Sequence, residues 1–198
     1  MLIIRSDSED RYLHLKMQIA KGNETAFREL FDLFFPLITQ FVFSLIKSKD
    51  AATDITDDIF IRLWNKRTEI EKIENLKVYL YKAAKNASLN YISRSAGRNV
   101  HEPFDDISVQ LKDESNPEQM MITAEMARKI IEAVNSLPPR CKIVFKLVRE
   151  DGLKYKEVAE ILNLSVKTVD AQMVIAVSRI REAMKSHLYL PAAGKIKK

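Results

Sequence analysis

The chain has 198 residues, enough for one large or two small domains, and its apolar fraction of 46% can fill real hydrophobic cores. Four glycines and six prolines are too few for a collagen-like, low-complexity or turn-rich β protein, and a single cysteine excludes an internal disulfide. The net charge of +5 is compatible with a polyanionic partner.

The sequence shows neither a secretory signal nor a continuous apolar run of about eighteen residues. We therefore expect a reduced, cytoplasmic protein without direct membrane insertion. The single cysteine, Cys141, lies beside Ile143, Val144 and Phe145, and this setting predicts a buried, inert thiol.

Apolar periodicity predicts four helices in the first half of the chain. The first helix ends at Gly22, and Asn23 caps the second. The second helix carries a broad apolar stripe over residues 27–45. Pro36 lies inside this stripe and predicts a kink or a local break.

The third helix begins at Asp50 and alternates apolar with acidic positions. The fourth is capped by Asn75 and runs from Leu76 to about Ser93, with lysines between its aromatic residues. We expect its inward side to carry Leu80, Ala83, Ala84, Ala87 and Tyr91. Together the four helices predict an N-terminal bundle over residues 8–94.

Composition changes after the fourth helix. Residues 95–119 lack apolar periodicity and carry more acidic than basic side chains, which predicts a flexible acidic linker. Asn116-Pro117 is a helix start signal, and helical periodicity returns over residues 120–188, before a basic tail over 189–198. The expected fold is all-α, with two small helical domains joined by this linker and a helix-turn-helix in the second.

The helix-turn-helix is predicted within residues 153–184. Its first helix buries an i, i+3, i+4, i+7 stripe, and Ser165 can cap the second helix after a short break. The side of the second helix that we expect to face a DNA major groove holds Lys167, Thr168, Ala171, Gln172, Ile175 and Arg179. A helical hairpin inside a larger bundle has the same periodicity, so that alternative stays open on pattern alone.

Four residues of this side form a single stripe at i, i+4, i+7 and i+11: Thr168, Gln172, Ile175 and Arg179. A glutamine can pair bidentately with adenine, and threonine or isoleucine can contact a thymine methyl group. An arginine can bind guanine or a phosphate. The stripe is therefore suited to reading duplex DNA.

An enzyme is the least expected class of protein. The three histidines, His14, His101 and His187, are scattered, and the sequence has no glycine-rich phosphate loop. The acidic residues Asp54, Asp57 and Asp58 lie within two turns of one helix, and no second motif converges on them. We interpret them as a solvated or protein-facing surface, and we expect no catalytic residue, cofactor or metal.

Three segments, in this order, resemble the extracytoplasmic-function (ECF) sigma factors, the smallest group of the sigma-70 family of bacterial RNA polymerase sigma factors. Ala51–Trp64 resembles their core-polymerase-binding helix, Leu76–Asn86 their −10 promoter helix, and Asp151–Val169 their −35 promoter-reading motif. The resemblance covers Glu24–Arg94 and Thr123–Met184. It implies a transcription initiation factor that binds core RNA polymerase at the β′ clamp and β flap, directs it to specific promoters and helps to melt the −10 element.

The resemblance also assigns residues to each interface. The expected core-polymerase contacts are Asp54, Asp57, Asp58, Phe60, Ile61 and Trp64. The expected −10 contacts are Lys77, Tyr81, Lys82, Lys85, Asn86, Asn90 and Arg94. The expected −35 contacts are Ser165, Lys167, Thr168, Ala171, Gln172, Ile175 and Arg179.

The chemistry of these residue types agrees with the assigned roles. Carboxylates around apolar side chains suit a basic, partly apolar protein partner. Lysines can follow the backbone of a single DNA strand while aromatic rings meet its bases, and the loop from Ile70 to Asn75 resembles the family loop that captures a flipped base. Plain packing is the alternative for Phe60 and Trp64, and a solvated amphipathic face is the alternative for the Lys/Tyr helix, in which Tyr79 and Tyr91 can equally be core.

The recognition helix departs from the commonest family pattern. Asp170, Gln172 and Ile175 stand where many members carry basic residues, which predicts weaker phosphate binding and a shallower salt dependence. By resemblance, the acidic linker threads the RNA-exit path of the polymerase. A cognate anti-sigma factor is also expected, although no segment of the sequence identifies it.

Two other functions fit parts of the pattern. One is a conventional helix-turn-helix transcriptional regulator that acts on duplex DNA without being a polymerase subunit, with the N-terminal bundle as a dimerisation or ligand domain. The other is a helical interaction protein that never contacts nucleic acid. The acidic helix and the Lys/Tyr helix disfavour the regulator, since a dimerisation domain needs neither.

Overall fold

The computed structural model describes residues 4–95 and 120–188, with the side chains of residues 11–94 and 128–184. The predicted basic tail, the Asn116-Pro117 start signal and all but the first residue of the predicted linker lie outside these residues. Every regular element in the described ranges is helical, which confirms the all-α prediction. The chain divides into two compact units, one built on the N-terminal helices and one on the C-terminal helices.

The first unit is a helical bundle. Its elements are α1 (Ile4–Ala20), α2 (Glu24–Ile46), α3 (Lys49–Asn65), a 3₁₀ helix (Arg67–Lys72) and α4 (Leu76–Ser95). α2 packs against both α3 and α4, and α1 packs against α2 and the 3₁₀ helix. The core is made of apolar side chains that include Leu30, Phe34, Ile38, Phe41, Ile59, Leu63, Leu80 and Ala84.

Side-chain caps determine where these helices begin. The Oδ1 of Asn23 accepts from the backbone N–H of Ala26 at 3.1 Å, and the Oδ1 of Asn75 accepts from the N–H of Val78 at 3.1 Å. Both predicted caps are therefore confirmed. Ser48 caps α3, so that helix begins slightly earlier than predicted.

α2 continues unbroken through Pro36, so the predicted local break is absent. Pro36 cannot donate to the carbonyl of Asp32, but both residues are exposed and water can take that hydrogen bond. α2 is also long and apolar enough to span a membrane by composition alone. Core helices of globular proteins share this composition, and seven apolar residues of α2, among them Leu30, Phe34 and Ile38, are buried within the bundle.

The described elements of the second unit are also helices. They are α5 (Met120–Asn135), α6 (Pro139–Phe145), a π-helical turn (Lys146–Glu150), α7 (Tyr155–Leu162) and α8 (Val166–Leu188). α8 packs against α5 and α6. The core includes Val134, Leu137, Val144, Leu147, Val158, Val169, Met173 and Ala176. Cys141 is buried as predicted, and burial raises the pKa of its thiol.

A buried group of charges fixes the π-helical turn. Lys146 is fully buried and pairs with Asp151 at 3.0 Å and with Glu150 at 3.6 Å. Burial raises the pKa of Glu150 to about 7, while the charge of Lys146 acts in the opposite direction. Because a buried ammonium is unfavourable without a partner, the Lys146–Asp151 pair holds both ends of the turn together.

Candidate nucleic-acid and partner interfaces

An open groove of about 420 Å³ lies between α2 and α3 on the first unit. Most of its lining is aromatic or aliphatic: Phe27, Phe31, Phe60, Ile61 and Trp64. The ring centroids of Phe27 and Trp64 are 4.9 Å apart, and those of Phe31 and Phe60 are 5.0 Å apart. These ring contacts make the groove a preformed apolar surface.

The acidic residues predicted on α3 lie beside this groove. Asp54 and Asp58 are exposed, and Asp57 is part of the groove lining. Asp58 pairs with Arg62 at 3.6 Å, but both side chains are exposed, so this pair contributes little to stability. Among the residues that the structure describes, no group of three or more His, Cys, Asp and Glu side chains is placed to hold a metal ion.

The predicted polymerase contacts differ in how exposed their side chains are. Ile61 is 57% exposed, and Trp64 is half-buried with the guanidinium carbon of Arg67 4.8 Å from its ring centroid. Phe60 is only 2% exposed and forms the floor of the groove, so its side chain packs mainly within the bundle. Phe27 of α2 lines the groove and was missed, because its place in the apolar stripe favoured a core role.

One stripe of α4 exposes polar and aromatic side chains. Tyr79, Asn86 and Asn90 are exposed at i, i+7 and i+11, and Lys82 is half-buried beside them. Arg94, near the end of the helix, is exposed as well. The predicted −10 residues that the structure brings together are therefore Lys82, Asn86, Asn90 and Arg94.

Two of the predicted −10 contacts have side chains that lie inside the bundle and are not on the exposed stripe. Tyr81 is fully buried, with its ring centroid 5.1 Å from that of Phe41. Lys85 is also buried, and burial, together with the nearby charge of Lys82, lowers the pKa of Lys85. α4 packs on both α2 and α3, so its buried side is wide enough to include these positions.

The aromatic residue that α4 does present is Tyr79, which is 38% exposed. Sequence periodicity left it as a possible core residue, and it is missing from the predicted contacts. Tyr91 was predicted to lie inward but is 37% exposed near the end of the helix. Lys77 is half-buried and, two positions from Tyr79, lies on another side of α4.

A side chain of α1 anchors the loop that precedes α4. Lys16 is buried, and its Nζ donates to the backbone carbonyl of Ile73. Ile70, at the 3₁₀ helix, is also buried. The segment from Ile70 to Asn75 is thus attached to the bundle at two points, and Lys16 is a supporting residue that the sequence pattern did not reveal.

The predicted helix-turn-helix is present as α7 and α8. α7 and α8 are bent by 108° across the break between Leu162 and Val166, which is the geometry of this motif. Asn163 has a φ of 55°, the left-handed conformation that a tight turn requires. The Oγ of Ser165 accepts from the backbone N–H of Thr168 at 3.0 Å, which confirms Ser165 as the cap of α8.

The outward side of α8 differs from the predicted stripe. The most exposed stripe is Lys167, Ala171, Val174 and Ser178, at i, i+4, i+7 and i+11, with Val174 62% and the adjacent Ile175 40% exposed. The predicted stripe begins one residue later and therefore lies about a quarter of a turn away. Val174 and Ser178 were missed for this reason.

Two residues of the predicted stripe contact their own unit. Gln172 is half-buried, and its Oε1 accepts from the Sγ of Cys141 at 2.7 Å. Arg179 donates through Nη1 to the carbonyl of Ser136 at 3.3 Å, although its side chain is exposed. The predicted pairing of Gln172 with adenine is not available in this arrangement, because the amide oxygen faces α6.

Family models match both units of the chain. The model described as Sigma-70 region 2 matches residues 30–98, and the one described as Sigma-70, region 4 matches residues 127–180. The chain is 26% identical over 174 residues to the ECF RNA polymerase sigma-E factor of Escherichia coli, which covers 84% of this chain and 88% of that protein. It is 24% identical over 182 residues to the protein of the same name from Haemophilus influenzae, covering 86% and 92%.

Solved structures show the same fold. CnrH, in complex with the cytosolic domain of CnrY, matches with a TM-score of 0.55 at 20% identity, over 90% of this chain and 98% of that chain. The sigma factor RpoE, in complex with the anti-sigma factor NepR from Bartonella quintana, matches with a TM-score of 0.55 at 19% identity, over 80% and 96%.

Proposed function

This chain belongs to the ECF sigma factors of the sigma-70 family, and from that premise we propose how its surfaces share the work of promoter recognition. It is a polymerase-binding factor that confers promoter specificity. A conventional helix-turn-helix regulator is excluded, because a sigma region 2 precedes the region 4 in the same chain. Since the family consists of non-enzymatic initiation factors, we expect no catalytic activity of its own.

The groove between α2 and α3 is the proposed docking surface for core RNA polymerase. The observation that carries this proposal is the combination of two apolar side chains, the exposed Ile61 and the half-buried Trp64, with the carboxylates of Asp54, Asp57 and Asp58 on the same helix. A basic, partly apolar element of the β′ clamp would bury the apolar residues and pair with the carboxylates. We expect the β flap to be contacted by the second unit.

The exposed stripe of α4 is the proposed binding surface for the unpaired −10 strand. Asn86 and Asn90 present amides that can meet extruded bases, Lys82 and Arg94 can follow the phosphates, and Tyr79 offers a ring for stacking. Melting would be driven by these contacts and not by ATP. The second unit would hold the −35 duplex through α8, with the predicted boundaries of 8–94 and 120–188 for the two domains.

Regulation by a protein inhibitor follows as a further part of this proposal. The two matched structures are complexes, one of them with an anti-sigma factor. An anti-sigma factor that covers the groove or the DNA-binding stripes would hold this chain inactive. We place the chain in the cytoplasm, where RNA polymerase acts.

In vitro transcription with purified core polymerase on a pool of genomic promoter fragments tests the proposed function. Transcripts that require the chain are expected, and changing both Asp57 and Asp58 to Lys should abolish them by reversing the charge beside the groove. Changing Asp32 and Glu132 to Lys is the matched control, because both carboxylates are exposed and neither lines the groove.

The docking surface and the proposed function are contradicted by different results. Transcription that survives in the Asp57/Asp58 variant but fails in the control would place the docking surface elsewhere. An absence of any dependent transcript with the unmodified chain would reject the proposed function itself.

A further inference from the structure

We propose that this chain selects its −35 element by the methyl groups of thymine, with Val174 as the principal contact and Ala171 and Ile175 beside it. The proposal rests on the proposed function, because it concerns the same α8 surface and the same duplex. It specifies the group on the DNA that is recognised, the thymine methyl, and a residue that contacts this group, Val174.

The exposed stripe of α8 is apolar at its centre. Val174 is 62% exposed and Ile175 is 40% exposed, and Ala171 lies one turn before them on the same side. The buried side of the helix is already filled by Val169, Met173 and Ala176. Val174 therefore contributes little to packing within the described part of the second unit, and Ile175 contributes only part of its surface.

The major groove contains one apolar group, the C5 methyl of thymine. Most other groups that a base pair displays there are hydrogen-bond donors or acceptors, which the side chains of valine, isoleucine and alanine cannot satisfy. Burial of Val174 against a base edge is thus favourable at a thymine methyl and unfavourable at polar edges.

The amide oxygen of Gln172, which follows Ala171 on α8, is turned away from this surface. The Oε1 of Gln172 is occupied by the thiol of Cys141 at 2.7 Å, so an amide-to-adenine pair would first require that contact to break. The side chains left at the centre of the surface, Ala171 and Val174, are aliphatic.

Charge favours DNA over a protein as the occupant of this stripe. Lys167 at the beginning of the stripe and Arg181 beyond its end are exposed and can reach phosphates on the walls of the groove. Asp170 lies beside the stripe and opposes close approach to phosphate, so affinity must come partly from the apolar contacts. The 108° bend between α7 and α8 matches the helix-turn-helix arrangement in which the beginning of the second helix enters the major groove.

Replacing thymine with uracil removes the methyl group and leaves base pairing unchanged. The experiment uses holoenzyme assembled from the full chain and core polymerase, on a promoter identified in the transcription assay, with each −35 thymine changed to uracil in turn. At one or more positions, uracil should weaken binding by about fourfold, the value of one buried methyl-sized group.

Two variants connect this effect to the proposed residue. In Val174→Ala holoenzyme, binding to the thymine promoter should fall by a similar factor, and the uracil effect should largely disappear, as expected for two groups that contact each other. Val174→Thr, which keeps the shape but replaces one methyl with a hydroxyl, should behave in the same direction. Val166→Ala is the matched control, because Val166 is also exposed on α8 but lies off the stripe.

Other outcomes overturn the inference without touching the proposed function. They are a transcribed promoter whose −35 element has no A·T pair, uracil tolerated at every position, or an unchanged uracil effect in Val174→Ala. Failure to obtain any dependent transcript rejects the proposed function instead, so the two failures are distinguishable.

Discussion

Glu150 links the stability of the second unit to pH. Its pKa is raised from the ordinary value of 4.5 to about 7, chiefly by burial. Between these two values the folded protein retains a proton that the unfolded chain releases, so the folded state binds more protons. The stabilising effect of this proton is fully present below pH 4.5 and is lost as the pH rises through about 7.

Changing Glu150 to Gln should therefore remove one component of the pH dependence of stability. Between pH 5 and pH 8, the unfolding free energy of the unmodified chain should fall relative to that of the variant by on the order of 2 kcal/mol. Urea unfolding of both proteins at the two pH values measures this difference. Glu132→Gln, at an exposed position, is the control, and parallel pH curves for Glu150→Gln would show that Glu150 titrates normally.

Tyr79 is the second residue whose environment predicts a measurable effect. It is exposed on the stripe that we assign to the −10 strand, and stacking on one base is worth about 1–3 kcal/mol. Tyr79→Ala should reduce the amount of open promoter complex by about tenfold while −35 duplex binding is retained. Permanganate reactivity of unpaired thymines reports the open complex.

Tyr91 provides the matched comparison for Tyr79. It is a tyrosine of the same helix with nearly the same exposure, but it lies off the stripe. Tyr91→Ala should leave permanganate reactivity near that of the unmodified protein. An equal loss of permanganate reactivity in the two variants would mean that α4 tolerates no truncation of either tyrosine. The assay would then not distinguish the side of α4 that contacts DNA from the other sides.

At the scale of elements, the cap of α8 can be separated from DNA contact. The Oγ of Ser165 accepts from the N–H of Thr168, and loss of such a cap costs about 1 kcal/mol of stability. Ser165→Ala should therefore lower the melting temperature, whereas Ser165→Asp should preserve it, since aspartate caps helices equally well. Because the aspartate adds negative charge where α8 meets DNA, it should weaken −35 binding in a mobility-shift assay.

A different pattern in the Ser165 variants would change the interpretation of this residue. If alanine and aspartate lower the melting temperature to the same extent, the capping hydrogen bond does not determine stability. If aspartate leaves DNA binding intact, the beginning of α8 does not approach the phosphates.

Local signals predicted the elements better than they predicted which side of each element is buried. The caps Asn23, Asn75 and Ser165 and the helix-turn-helix follow from interactions within a few residues of the chain, and all are present. The orientation of a helix depends on how many neighbours it packs against, which periodicity does not encode. α4 has two neighbours, so Tyr81 and Lys85 are both inside.

Periodicity also failed to predict which side chains are exposed on α8 and α3, because contacts with residues distant in sequence determine this. On α8, the side chain of Gln172 turns toward Cys141, a residue distant in sequence, and the exposed stripe begins one residue earlier than predicted. On α3, alternation of acidic and apolar residues predicted a partner surface, but not that Phe60 would be its floor. The residue types needed at each interface were thus predictable, while several of the individual contacts were not.

At the scale of the whole molecule, each unit has a hydrophobic core of its own. Phe41 is fully buried in the first unit, and Leu147 is fully buried in the second. Truncating a buried Phe or Leu to Ala costs about 2–5 kcal/mol. Phe41→Ala and Leu147→Ala should therefore each lower a different transition in calorimetric unfolding, and leave the other in place. A single transition that shifts equally in both variants would show that the two units unfold together.

Trp64 gives the protein a built-in optical probe. It is the chain's single tryptophan, it lies in the groove between α2 and α3, and the charge of Arg67 sits over its ring. The indole emission of the whole protein therefore originates at one position on the proposed docking surface. A tryptophan-free peptide that occupies the groove would displace water from this ring, so its association could be followed by an unlabelled fluorescence titration.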